Sequence, residues 1–254
     1  MKIVILADSL ALAREEGGGG IPFEATYPYL LDQSLRKRLG HDSPLVIERG
    51  MRARTIEDVL ADWFEQVELK TADIVVVHVG IVDCAPRVFL RRERNFIETL
   101  RLKRLRKFIL NFVHKHRRRI VLLRRLVYVP PARFKQLVEK MVQRAREGKI
   151  RSLLLINIIS PPDQLEERSP GFQENVRIYN QILAEQVDGR LIQLIDLNSL
   201  IQQQSGAHLT IDGIHVNEEA HKILARQLEA YILTFGNESL AATSEEEPGS
   251  TGHE

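Results

Sequence analysis

Cysteine and aromatic residues are scarce in this chain, with one Cys, one Trp and 6% aromatics among 254 residues. With Cys84 alone, no intramolecular disulfide can form, a cysteine-based zinc site has no support, and a reducing compartment is expected. No run of about 18 apolar residues occurs, which excludes a conventional membrane-spanning helix. The first residues enter a strand-like run without the basic segment, apolar core and small-residue cleavage site of a secretion signal. The expectation is a cytoplasmic protein with no transmembrane segment, able at most to touch a membrane surface. Internal repeats are absent. The four glycines Gly17, Gly18, Gly19 and Gly20 lack both the Gly-Lys-Ser/Thr ending of a phosphate loop and the Rossmann spacing. That stretch reads as a flexible connection, and no cofactor is expected.

What is present suffices for one sizeable α/β domain: 44% of the residues are hydrophobic. The net charge of +2 conceals a division. Between Arg87 and Arg151 there are 22 Lys/Arg against 4 Glu, whereas the last 19 residues carry 5 Glu and no Lys or Arg. Such asymmetry suggests a basic surface for an anionic partner and a solvated acidic tail.

Apolar runs alternate with helical periodicity along the chain. Strands are expected at 2–7, 44–48, 73–79, 152–159 and 191–195, and helices at 27–39, 55–69, 131–147, 172–186 and 217–235. Strands that are almost continuously apolar, each followed by a helix, imply a five-stranded parallel sheet covered on both faces. One helix suffices for the crossover to the fourth strand, so residues 88–129 read as a basic helical insertion in a domain spanning 1–235. Its apolar clusters between basic blocks suit an anionic surface, a lid or a partner helix. Residues 236–254, rich in Glu, Ser, Gly and Thr, are expected to be disordered.

Parallel sheets place chemistry at the carboxyl ends of their strands, and the first strand delivers Ser9 there. Asp212 and His215 sit three apart before the last helix. At that spacing a carboxylate can hold one imidazole nitrogen while the other faces a nucleophile, the base that a serine hydroxyl needs at neutral pH. Each residue alone also has a plain reading: Asp8-Ser9 as a cap, Asp212 as a turn acid, His215 as a helix-start residue. His78 in an apolar strand reads as a paired core histidine, Cys84 as a small buried hydrophobe, and His114-Lys115-His116 as a solvated basic face with no metal site. Arg49, Arg52, Arg54 and Arg87 flank the expected pocket, and Arg54 and Arg87 are the candidates for binding an anionic substrate group.

Ala7-Asp8-Ser9-Leu10, Gly50, Gly80-Ile81-Val82-Asp83 and Asp212-Gly213-Ile214-His215 resemble, in order and spacing, the blocks of the SGNH hydrolase (GDSL esterase/lipase) superfamily. The resemblance implies a flavodoxin-like three-layer α/β/α sandwich and ester hydrolysis through an acyl-enzyme. It assigns the nucleophile to Ser9, the base to His215, the supporting acid to Asp212, and oxyanion donors to the backbone N–H groups of Ser9 and Gly50. Two departures are visible. Ala7 replaces the usual glycine, and Val82 stands where the family carries an asparagine that completes the oxyanion hole, a role a valine side chain cannot fill. Loss of one such donor costs about 100- to 1000-fold in rate. Asn157, Asn198 and Arg87 are chemically able to substitute, and Asp83 reads as a brace for its loop. The expected activity is an esterase or deacylase on an acyl ester of a carbohydrate or anionic carrier. Two alternatives stand beside it, an O-acyltransferase using the same triad and a non-catalytic binding protein on the same scaffold. No nucleic-acid role is expected, because stacking aromatics are not interleaved with the basic residues.

Overall fold

The structure is a computed structural model that describes residues 1–14, 20–203 and 209–245, with side chains described as far as Phe235. Most of the glycine stretch, His208 and residues 246–254 of the expected tail lie outside the described residues.

Five parallel strands form one sheet in the order β2-β1-β3-β4-β5: β1 Lys2–Ala7, β2 Leu45–Gly50, β3 Ile74–His78, β4 Ser152–Ile156 and β5 Ile192–Ile195. The side chains of β1 alternate strictly. Val4 and Leu6 face one apolar layer with Val75, Val77, Leu153 and Leu155, whereas Ile3, Ile5 and Ala7 face the other with Ile74, Val76 and Leu154. Helices close both layers. The helices flanking the sheet are α1 (Tyr27–Leu39), α2 (Ile56–Trp63), α6 (Pro131–Glu147), α8 (Phe172–Ala184) and α10 (Glu218–Glu245). Leu31 and Leu35 of α1 pack with Leu224 and Leu228 of α10 on one face. Val59 and Trp63 of α2, Phe134 and Met141 of α6, and Val176 and Tyr179 of α8 cover the other. This is the three-layer α/β/α sandwich that the resemblance implied.

Local chemistry accounts for the helix boundaries. The Thr55 N–H and hydroxyl both donate to the Asp58 carboxylate, at 2.8 and 2.7 Å, opening α2. Asn217 accepts the Ala220 N–H at 3.0 Å to open α10. Gly40, at φ 56°, ends α1. Several boundaries differ from expectation. α2 ends at Trp63 and the chain continues as a π-helix over Phe64–Glu68. β4 stops at Ile156, just before Asn157, whose N–H still donates to Ile195 and whose side chain donates to Asp196 at 2.6 Å. β2 runs on to Gly50, opposite Ala7. α10 reaches Glu245, ten residues past the expected stop, through a segment without proline.

Between β3 and α6 lie three further helices, α3 (Ile81–Cys84), α4 (Arg91–Thr99) and α5 (Lys103–Arg124). The segment is tied at its base, where the Arg87 N–H donates to the Leu126 carbonyl at 2.8 Å. Arg124 forks onto both carboxylate oxygens of Glu93 at 2.9 and 2.5 Å, joining α5 to α4. Two short helices, α7 (Asp163–Arg168) and α9 (Leu197–Gln202), complete the described α-helices, beside 3-10 turns at Ser9–Ala11, Phe23–Ala25 and Gly40–Asp42. No helix among the described residues is long and apolar enough to cross a membrane.

Gly80 leaves β3 at φ 127°, and a Cβ there would lie 2.7 Å from Ile158 Cδ1. Gly80→Ala should therefore lower the unfolding free energy by about 1–3 kcal/mol, read from urea denaturation. An unchanged midpoint would show that this backbone angle is not held.

Candidate active site

The strand order reverses between β1 and β3, and open α/β sheets gather ligands at that crevice beyond the strand carboxyl ends. Ser9 follows β1 and Val82 follows β3 there. Asp8 fixes the turn: its N–H donates to the His78 carbonyl at 3.1 Å and its Oδ1 accepts the Leu10 N–H at 2.9 Å. The turn before α10 supplies the other two groups. Asp212 Oδ1 accepts the backbone N–H groups of Ile214 and His215 at 3.1 and 2.8 Å, an Asx-type wrap that aims the carboxylate at its own histidine.

The result is a continuous line. Ser9 Oγ lies 3.1 Å from His215 Nε2, and His215 Nδ1 lies 2.8 Å from Asp212 Oδ2. With Nδ1–H donating to the carboxylate, Nε2 is left as the acceptor for the serine proton. Partial burial pushes the Asp212 carboxyl up, but the hydrogen bonds and charge of His215 outweigh it and hold it below the usual range. Burial also pulls His215 down, against the upward pull of Asp212 and with help from Arg14 and Arg52, so the net shift is downward. Arg14, which sequence reasoning did not single out, reaches Asp212 Oδ2 at 3.3 Å.

Two cavities meet at the serine. One of about 190 Å³ lies among Leu12, Arg14, Arg52 and Ala53. The other, of about 470 Å³, is walled by Val82, Arg87, Arg91, Asn95 and Tyr128, with Ser9, Ala53 and His215 common to both. A larger cavity of about 780 Å³ sits at the opposite edge of the sheet beside Met1, Lys2 and Asp73, with no nucleophile–base pair in its wall.

The other expected residues separate clearly. Arg87 does line the catalytic cavity: its guanidinium stacks 4.3 Å over the Tyr128 ring and donates to the Val82 carbonyl at 3.0 Å. Its Nε is buried without a partner, and burial lowers its pKa. Arg54 does not face the pocket. It is 2% exposed and its two terminal nitrogens donate to the Arg49 carbonyl and Asp62, because the turn before α2 folds it inward. Gly50 also departs from its expected role. The Met51 N–H pairs inward with Ala7, so the Gly50 N–H, one residue earlier in the strand, points away from β1 and donates to Glu48 Oε1 at 2.5 Å. Ala53 has the features expected of a free donor instead. It holds φ 58°, its N–H has no acceptor among the described residues, and it lines both cavities. An alanine in that region costs about 1 kcal/mol.

Asn157 and Asn198 do not replace the missing asparagine, since neither lines the serine cavities: the Asn157 amide donates to Asp196, and Asn198 Oδ1 accepts the Ser160 N–H. Asn95 and Arg87 are the candidates in the cavity wall. Asp83 does brace its loop, accepting the Ile56 N–H at 3.0 Å. Burial pushes both Asp8 and Asp83 up to about 7, and it drops His78 to about 3. His78 is buried as expected, but neither ring nitrogen has a hydrogen-bond partner, so it is an unpaired core histidine. Cys84 is a buried thiol pushed upward by burial.

A parallel three-layer sandwich with a Ser-His-Asp line at its switch point defines an SGNH-type hydrolase. In agreement, residues 8–223 match the GDSL-like lipase/acylhydrolase family, and the chain belongs to that family. A comparison with curated protein sequences finds no match. Among solved structures, the fold is similar to the lipase/acylhydrolase from Enterococcus faecalis at 18% identity and TM-score 0.62, covering 93% of this chain and 97% of that one. It is also similar to LAE5, an alpha/beta hydrolase enzyme from the metagenome of Lake Arreo, Spain, at 20% identity and TM-score 0.60, covering 92% and 94%. The acetyl xylan esterase AlAXEase shares 17% identity at TM-score 0.60, covering 91% and 100%.

The electrostatics can be checked directly. The His215 imidazole, followed by NMR, should titrate below its ordinary value of 6.5. Arg14→Ala removes a cation that disfavours the imidazolium, so the titration should move up; a fixed or falling pKa would contradict this reading.

Proposed function

We propose that the protein is a serine-dependent ester hydrolase working through an acyl-enzyme, on esters that carry a negative charge near the scissile bond. The observation that carries the reading is the line from Ser9 Oγ to His215 Nε2 and from Nδ1 to Asp212, at 3.1 and 2.8 Å. Ser9 Oγ attacks the ester carbonyl while its proton passes to His215 Nε2. The N–H groups of Ser9 and Ala53 face the oxyanion that forms. Collapse breaks the ester C–O bond, His215 returns the proton to the departing alkoxide, and an acyl-Ser9 ester remains. Water, deprotonated by His215, then attacks this ester and releases the carboxylic acid and free Ser9.

The hole is short of one donor. Val82 presents methyl groups where an amide would act, and the cavity wall beside it offers Arg87 and Asn95. Short p-nitrophenyl esters should be turned over slowly by the wild type, and Ser9→Ala should lower kcat at least about 1000-fold. Val82→Asn should raise kcat on the order of 100-fold with KM little changed, because an oxyanion donor acts in the transition state. A wild-type rate equal to that of Ser9→Ala would instead favour a binding role on this scaffold.

Arg87 supports the anionic preference. It has no carboxylate partner among the described residues, is held by Tyr128, and lines the serine cavity. Arg87→Gln should raise KM at least about tenfold for a p-nitrophenyl ester ending in a carboxylate. An uncharged ester of equal length should change by less than about twofold. Equal changes for both esters would remove the charge argument.

A further inference from the structure

We infer that the exposed face of α5 is a docking site for an anionic lipid surface. Leu105, Phe108 and Phe112 recur at three- and four-residue intervals and form one stripe of the helix. They stand 43%, 66% and 53% exposed, whereas Ile109, Val113 and Ile120 turn toward the protein and Val121 is buried. Beside this stripe, at helical spacing in the part of α5 that precedes a kink at His116, lie Arg104, Lys107 and Lys115, all exposed and none paired with a carboxylate among the described residues. Residues 87–125 as a whole hold 15 Lys/Arg against two Glu.

Charge decides the occupant. A bare aromatic stripe would suit many partners, but an aromatic and aliphatic stripe bordered by unpaired cations is the pattern that sinks into the boundary of an acidic bilayer. Single-stranded nucleic acid fits less well, since Leu105 offers no stacking face between the rings. A second copy of the chain would bring like charges together across the same stripe. The neighbouring cavity is consistent with lipid. About 560 Å³ in volume, it is walled by Val88, Phe89, Ile97, Leu110 and Val113, and it shares Arg94 and Glu98 with the catalytic cavity. A recess thus adjoins the exposed helix, its apolar side chains accompanied by the cations Arg106, Arg117 and Arg168. The inference rests on α5 and its flanks and does not depend on Ser9 being a nucleophile.

Flotation of the full chain with vesicles tests it. The protein should float with vesicles of phosphatidylcholine and phosphatidylserine and stay behind with phosphatidylcholine alone, and added salt should release it. Phe108→Ser/Phe112→Ser and Arg104→Glu/Lys115→Glu should each weaken binding at least about tenfold at an unchanged thermal midpoint. Should either double variant unfold, Phe108→Trp gives a second reading, with an emission shift to the blue on the acidic vesicles only. Four outcomes would overturn the inference. They are equal binding to both vesicle types, binding to neither, wild-type binding by folded double variants, and a dimer in ultracentrifugation that Phe108→Ser/Phe112→Ser dissolves.

Discussion

The parallel register of β1 with its two neighbours is the constraint on which the site depends. Ala7 lies opposite Gly50 on one side and His78 on the other, so the three strands end level and their loops open into one crevice. Ser9, Ala53 and Val82 then stand around a common space although they come from three distant stretches of chain. A slip of one residue in β1 would turn Val4 and Leu6 away from the α2–α6–α8 layer and move the serine with them. The core that forbids the slip is therefore also what aims the nucleophile.

Burial and charge act in opposite senses around that crevice. Behind the nucleophile, Asp8 and Asp83 are held neutral by burial over the acid range, and His78 is neutral for the same reason. Toward solvent the situation inverts. Asp212 stays ionised through the hydrogen bonds of its own turn, and Arg14 and Arg52 bias His215 toward the neutral form that accepts a proton. The segment between β3 and α6 then roofs the cavity with arginines, of which Arg87 is fixed by an aromatic ring.

The fold and the triad were legible in the sequence because each leaves a local trace. Continuous apolar strands separated by helical periods announce a parallel sheet, and an acid three residues before a histidine announces a paired imidazole. What was not legible depends on backbone conformation or on long-range packing. Gly50 drew attention as a glycine, yet β2 extends two residues further than its turn-like sequence suggests and places that N–H on the outer side of the strand. Ala53 escaped notice because alanine carries no preference for the left-handed conformation it adopts. Arg54 reads in sequence as a cation for an anionic substrate group, but the inward turn brings it to Asp62 instead. Arg91, Asn95 and Tyr128 join the cavity only because α4 and the residues after α5 fold back over it, which no short motif encodes.

The claim that Ser9 is a nucleophile activated by His215 is tested most directly by mass spectrometry after exposure to a serine-reactive phosphonate. The account predicts one adduct per folded chain, located on the peptide containing Ser9 and lost in both Ser9→Ala and His215→Ala. An unmodified folded protein, or an adduct that survives in Ser9→Ala, would contradict it.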